Sequence, residues 1–383
     1  MWIHLIGNLF KREGMLMNPF KIGRAYSPES FVDRVDEYCD LLEGVKSGNN
    51  VVVIAPRRFG KTWFLQKFSV ESGFSCLYVD LFGVYSVNGF VSALVRQIFE
   101  ILRRTDLMAF VVNYLKSLPF SIELNLGLVG ISFSKEVDDE ALLNGLYELL
   151  NKAQRELNER LVVILDEFQA YKNIHKNLAE SLRSYLQSRE NVVFIFSGSF
   201  KHMLEQLFFE SSGILYHSCL RFDLNSLLPE NDCVEYLVRQ FGRTGKVISP
   251  DLAKEVYART KGHAYYLQLF GYELWNRADG KVSFDDVEHA FYEIVEKESY
   301  NYDVLIETLG YKYVKNALKL IAEQSSDLFS SETLERYGIP SSSVLSKILK
   351  KLSEYGIVEK LGRGRYEIVD PIFEQYARKR FSN

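Results

Sequence analysis

The segment Ala55-Pro56-Arg57-Arg58-Phe59-Gly60-Lys61-Thr62 constrains the fold of this chain more than any other. The apolar run Val51-Val52-Val53-Ile54 precedes it, and Trp63-Phe64-Leu65-Gln66-Lys67-Phe68 follows with helical character. A strand, a tight loop and a helix in that order match the phosphate-binding loop G-x-x-x-x-G-K-[ST], with Ala55 in place of the first glycine. Such a loop turns successive backbone N–H groups and a helix N-terminus toward an anion. Lys61 then reaches the terminal phosphates, where it serves as a catalytic cation, and the Thr62 hydroxyl reaches Mg²⁺. Residues Ala55 through Trp63 are the expected cradle of a nucleoside triphosphate. Arg57 and Arg58 stand in the loop, open to phosphate, to a nearby helix or to a partner.

A second element tests that expectation. Leu161-Val162-Val163-Ile164-Leu165-Asp166-Glu167 is an apolar strand closed by two acids. Asp166 can hold a water on Mg²⁺, and Glu167 can polarise the attacking water. An acid pair can also mark a strand that simply meets solvent, but beside Gly60-Lys61-Thr62 the catalytic role is favoured. The strand Val192–Ser197 continues into Gly198-Ser199. Ser197 is expected between the acid-bearing strand and the loop strand, where it would sense the γ-phosphate or the water; an ordinary Ser-Gly turn is the other reading.

Length and patterning set the frame. A chain of 383 residues predicts two or three domains. Short apolar runs at 51–55, 76–81, 161–166, 192–197 and 220–224 read as strands buried on both faces of a parallel sheet. Helical runs at 30–46, 61–69, 88–104, 138–159 and 174–189 alternate with them, giving a doubly wound α/β sheet with ligands at the strands' carboxyl ends. Phe120–Phe133 alternates and carries glycines, which predicts an inserted β-hairpin. Beyond Pro229 the pattern is helical to Glu298. From Tyr313 three short helices and a hairpin predict a winged helix. The expected boundaries are a tail at 1–17, an α/β domain at 18–227, a helical domain at 228–300 and a winged helix at 301–383. No apolar stretch reaches the roughly 20 residues needed to span a bilayer, so no membrane association is expected. The N-terminus lacks the features of a signal peptide. Four cysteines without CxxC spacing suit reduced thiols and a cytoplasmic location.

Charge is uneven within a net of −4. Residues 311–383 carry 13 Lys/Arg against 9 Asp/Glu, so a mildly basic module adjoins an acidic body. In Ser341–Tyr355 the buried stripe is Val344, Leu345, Ile348, Leu349 and Leu352, which leaves Ser346, Lys347, Lys350 and Lys351 facing outward. Arg363 and Arg365 mark the wing tip. This layout suits duplex DNA, with a weak and salt-sensitive phosphate term. A protein contact, or self-association, is equally open.

Four elements together resemble the archaeal-type P-loop ATPases of the AAA+/STAND group. They are Asn18-Pro19-Phe20 with Phe31-Val32-Asp33-Arg34-Val35-Asp36-Glu37; Pro56-Arg57-Arg58-Phe59-Gly60-Lys61-Thr62; Leu165-Asp166-Glu167-Phe168-Gln169; and Ser197-Gly198-Ser199 with Gly262-His263-Ala264-Tyr265-Tyr266-Leu267-Gln268. The resemblance implies an α/β fold of the P-loop NTPase kind, a parallel sheet with a helical lid domain and a C-terminal winged-helix domain. It implies ATP/ADP over GTP, an adenine pocket near Phe31 and Arg34, and a lid contribution from His263. Phe31 as a core aromatic and Arg34 as a helix-surface charge remain alternatives. Relatives often carry Gly-Arg before the fifth strand; here Leu215-Tyr216-His217-Ser218 stands there and Arg221 is the nearest arginine, which implies slow hydrolysis without a partner. The expected function is an ATP-binding, slowly hydrolysing, Mg-dependent switch that couples nucleotide state to the winged helix. A nucleotide-responsive DNA-binding regulator and a scaffold without turnover are the alternatives.

Overall fold

The computed structural model describes residues 17–23, 26–32, 34–102, 120–125, 128–133, 138–189, 191–224, 226–323 and 327–381. Except for Met17, the expected N-terminal tail lies outside them. The chain divides into two compact units. One holds the described residues of Arg34–Arg57 and Lys61–Asn225; the other holds those of 1–33, Arg58–Gly60 and Ser226–Asn383.

The first unit is built on strands β1 (Val51–Ile54) and β2 (Ser75–Asp80), a hairpin β3 (Phe120–Asn125) and β4 (Leu128–Phe133), and strands β5 (Leu161–Asp166), β6 (Val192–Gly198) and β7 (Leu220–Asp223). The hairpin pairs antiparallel, as its alternation predicts. The other five strands are all parallel, in the order β2-β5-β6-β1-β7. Every residue of β1, β5 and β6 is buried. Strands covered on both faces have no solvent side to alternate toward, which is why they read as continuous apolar runs. Helices Val87–Leu102, Asp139–Leu157 and Leu178–Ser188 pack into the same core. The Asp138 side chain caps the second of these by accepting from the Ala141 N–H.

This topology positions chemistry by adjacency. β6 lies between β1 and β5, with Val53 opposite Ser197 and Leu165 opposite Phe196. The carboxyl end of β5 and that of β1 therefore flank the Ser197 side chain, the arrangement the sequence predicts.

In the second unit helices Glu230–Arg243, Pro250–Thr260, Ala264–Arg277 and Phe284–Leu309 follow one another, and the Ser249 side chain caps the second of them. Ser283 and Asp286 form a reciprocal capping box at the last of them. That helix runs unbroken for 26 residues, through the expected boundary at 300/301. Helices Val314–Ala322, Ser331–Arg336 and Ser342–Glu354 follow, then an antiparallel hairpin of β8 (Val358–Gly362) and β9 (Arg365–Ile368). These are the elements expected of a winged helix, in order. A further helix, Pro371–Phe381, closes the chain. One hydrophobic core extends from Phe20 and Val32 to Tyr376 and Ala377. Asn18 and Phe20, expected to open the α/β domain, belong to this second unit: the Asn18 amide donates to the Tyr272 carbonyl and Asn276 Oδ1, and the Phe20 ring fills the space where any side chain at Gly271 would lie. Among the described residues no helix is long and apolar enough to cross a membrane. All four cysteines are unbridged thiols.

Candidate active site

β1 delivers the chain into the loop with Ala55 fully buried. The loop turns through two left-handed residues, Arg58 at φ 72° and Gly60 at φ 86°. A glycine adopts that backbone without strain, whereas arginine does so at a cost of about 1–2 kcal/mol. The helix Lys61–Glu71 then begins.

Lys61 is 5% exposed and ion-pairs with both acids: its Nζ lies 2.8 Å from Asp166 Oδ1 and 2.7 Å from Glu167 Oε1. Asp166 is 1% exposed. Its Oδ2 accepts from Thr62 Oγ1 at 3.0 Å and from the Tyr78 hydroxyl at 2.9 Å. Its Oδ1 accepts from Ser197 Oγ at 2.5 Å and from the Glu167 N–H at 2.9 Å. Burial alone would raise the Asp166 pKa. The Lys61 ammonium, with hydrogen bonds from Lys61, Ser197 and Tyr78, outweighs burial and holds the carboxyl below its usual range. Burial and the Asp166 charge push the Tyr78 hydroxyl well above its ordinary value, so it remains a donor.

Glu167 sits in the left-handed region at φ 53°. Strained backbone of this kind clusters where geometry matters more than local stability. Its carboxylate accepts from Ser199 Oγ at 2.9 Å on Oε1 and from the Gln169 amide on Oε2. Thr62 and Asp166 thus set a hydroxyl and a carboxylate oxygen side by side. Mg²⁺ in phosphate sites takes one or two protein oxygens and completes its shell with phosphate and water, so this donor set fits it. The described residues contain no cluster of three or more His, Cys, Asp or Glu that would hold a metal alone.

The remaining expected residues divide. Arg57 is exposed, with its guanidinium 4.8 Å from the Phe200 ring centre. Pro56 and Trp63 are half-buried. Arg34 is buried and pairs with Glu37 at 3.1 Å, so it is not a helix-surface charge. Phe31 packs edge-on against Tyr26 at 5.6 Å. Arg58, expected among the nucleotide-binding residues, has its guanidinium engaged elsewhere. Within the second unit it ion-pairs with Asp370 and with Glu298 at 2.9 Å and donates to the Tyr302 hydroxyl at 3.1 Å. Burial opposes its charge, but Asp370, Tyr302 and Glu298 more than compensate and raise its pKa. The faces of Tyr265 and Tyr266 flank it at 5.4 and 4.9 Å. In the same unit Phe59 is buried against the His263 ring at 4.8 Å.

On the C-terminal module Ser346, Lys347, Lys350, Arg363 and Arg365 are exposed as expected. Lys351 is not free: it is half-buried, paired with Glu354 at 3.3 Å and seated over the Tyr355 ring. Arg221 is likewise held, by Asp223 and Glu205.

Sequence reasoning missed three contributors. Tyr78 carries no local signal, because its relevance depends on β2 pairing with β5. Gln169 and Ser199 were visible as parts of motifs, but their convergence on Glu167 depends on how β5 and β6 end.

Residues 45–207 match the family model described as AAA domain. Among solved structures, a Walker-type ATPase of Pyrococcus abyssi is similar with a TM-score of 0.70 at 18% identity, covering 94% of this chain and 99% of its own. The Aeropyrum pernix ORC2 protein in its ADPNP-ADP complexes is similar at 0.59 and 16% identity, covering 96% of each chain. Its ADP form gives 0.55 at 16% identity, covering 94% of this chain and 98% of its own. No curated protein sequence matches. At such identities the structural likeness is one of fold, and with the domain match it describes a P-loop ATPase fold of the AAA+ type.

Proposed function

We propose that this chain binds Mg·ATP and hydrolyses it slowly, as a switch whose nucleotide state is communicated to a C-terminal winged helix. The observation that carries this reading is the convergence of Lys61, Thr62, Asp166, Glu167 and Ser197 at the ends of three adjacent strands. Phosphoryl transfer to water needs positioning and charge neutralisation more than covalent chemistry. Lys61 would exchange its two carboxylate partners for the β- and γ-phosphate oxygens. Thr62 and Asp166 would hold Mg²⁺, which supplies further neutralisation of the phosphate charge. Glu167 would accept the proton of the attacking water. Ser197 donates to Asp166, so it acts by fixing that carboxylate. The backbone of the loop and the Ala55–Trp63 segment would cradle the phosphates, and the resemblance to AAA+/STAND ATPases supports adenine over guanine.

The placement of two arginines supports slow turnover. Arg58 and Arg221 are both engaged by acids, which leaves Arg57 in the loop, or a partner or second copy, to bring a cation to the transition state. Coupling is supported by the tip of the loop itself. Arg58 pairs with Asp370, whose other oxygen accepts from the N–H groups of Ile372 and Phe373 and so caps the last helix. A second reading, nucleotide-responsive binding of duplex DNA, is favoured by the exposed Ser346, Lys347, Lys350, Arg363 and Arg365.

The decisive experiment pairs two variants. Lys61→Ala should abolish saturable binding of a fluorescent ATP analogue. Glu167→Gln should bind normally and lower phosphate release by at least about 100-fold, the usual contribution of a positioned general base. Turnover that survives both changes removes the assignment.

A further inference from the structure

Among the described residues, Gln169 is the one side chain bonded to the Glu167 carboxylate that belongs neither to the loop helix nor to the end of β6. It follows Phe168, whose ring is fully buried against Phe196 at 4.7 Å and Tyr171 at 5.4 Å. A short 3₁₀ turn, closed by the Ala170 N–H on the Glu167 carbonyl at 3.0 Å, fixes the backbone between them. The amide orientation is dictated by chemistry. A carboxylate only accepts, so Nε2 must face Glu167 Oε2. The amide Oε1 is then buried and has no hydrogen-bond partner. A buried acceptor left unsatisfied is costly and calls for an explanation. The far side of the amide lies against Gly198, where any Cβ would overlap Oε1. The glycine leaves room for the amide, and the amide forgoes one hydrogen bond to keep the other.

The two oxygens of Glu167 are therefore not equivalent. Oε1 contacts Lys61 and Ser199; Oε2 contacts Gln169. When Lys61 turns to phosphate, the position it leaves is on Oε1. We propose that Gln169 is a positioning residue for Glu167: by occupying Oε2 it directs Oε1 at the attacking water. In that step the water oxygen bonds to the γ-phosphorus, the bond from phosphorus to the bridging oxygen breaks, ADP carries away that electron pair, and the water proton passes to Oε1. This inference rests on the role proposed above for Glu167.

The test uses the full chain. Gln169→Leu and Gln169→Met both remove the donor, the second with an unbranched side chain of similar length. Both should lower kcat about tenfold or more while leaving KM and the Kd for Mg·ATP unchanged. Gly198→Ala, which displaces the amide, should reproduce the same split. In a Glu167→Gln background Gln169→Leu should have no further effect, because residues acting as a unit are not additive. Wild-type kcat in folded Gln169→Met, or a loss of kcat accompanied by an equal rise in Kd, overturns the proposal. If Glu167→Gln alone retains full turnover, the base assignment itself fails; if it is inactive while Gln169→Met is normal, only this inference fails.

Discussion

His263 shows how a single residue can set the acid limit of the C-terminal unit. Its ring is 3% exposed at the start of helix Ala264–Arg277, and its Nδ1 has no hydrogen-bond partner. A proton placed there would be a buried charge. Burial holds the imidazole at about 4; Lys261 and Arg58 push the same way, while Asp370 and the Val369 backbone oppose them. A folded value below the unfolded 6.5 means that the unfolded chain binds more protons between those limits. Stability should therefore be full above pH 6.5 and fall as pH drops toward 4, by roughly 3 kcal/mol at most. Unfolding free energies measured in urea across that window should show the fall in the wild type and a flatter profile in His263→Leu. Identical profiles would show that His263 is not the group responsible. The residue scale is also where legibility was most uneven. Lys61, Thr62, Asp166 and Glu167 were readable because each sits at a fixed offset from a strand end. Arg58 was not, because a charged loop residue has several partners within reach and only the folded chain selects Asp370 and Glu298.

Among the elements, the helix Pro371–Phe381 joins two roles through one side chain. Asp370 caps it with Oδ1 and holds Arg58, Tyr266 and Tyr302 with Oδ2. The roles can be separated, since asparagine caps a helix about as well as aspartate but brings no charge to Arg58. Asp370→Asn should keep the helical far-UV signal and accelerate release of fluorescent ADP about fivefold or more, the lower end of common coupling energies. Arg58→Ala should accelerate it similarly, and the double variant no further. Release rates that multiply in the double variant, or that stay at the wild-type value, would show that this pair does not link the helix to the loop. Asp370→Ala should in addition lose about 1 kcal/mol of stability with the cap. Of the five parallel strands, β1, β5 and β6 were legible because full burial leaves an unbroken apolar run; β7, expected to be buried on both faces, is a largely exposed edge strand, and β2 at the other edge is only partly buried. The long helix was cut short in the sequence because Ser299, Tyr300 and Asn301 interrupt its apolar pattern, yet no glycine or proline breaks the backbone before Gly310 at φ 67°. The closing helix was missed although Asp370-Pro371 is itself a start signal.

For the molecule as a whole, charge decides between a nucleic-acid partner and a protein one. A net of −4 disfavours any bulk attraction to a polyanion, so contact with DNA has to be local. Lys347, Lys350, Arg363 and Arg365 are exposed, whereas Lys351 is neutralised by Glu354 and drops out of the set. Four phosphate contacts would give a log–log salt slope of about −3.6 on duplex DNA. The wild type should therefore bind a short duplex at low salt and release it steeply as salt rises. Reversing all four charges to glutamate should abolish that binding. The Kd for Mg·ATP should stay unchanged, because none of the four belongs to the Lys61–Asp166 cluster. Fluorescence anisotropy with labelled duplex, run in parallel with nucleotide titration, reads both quantities. A slope near zero, or no binding at about 50 mM salt, would overturn the DNA reading, because four solvated cations facing a duplex should register at that ionic strength even with Glu359 and Glu367 exposed on the same hairpin.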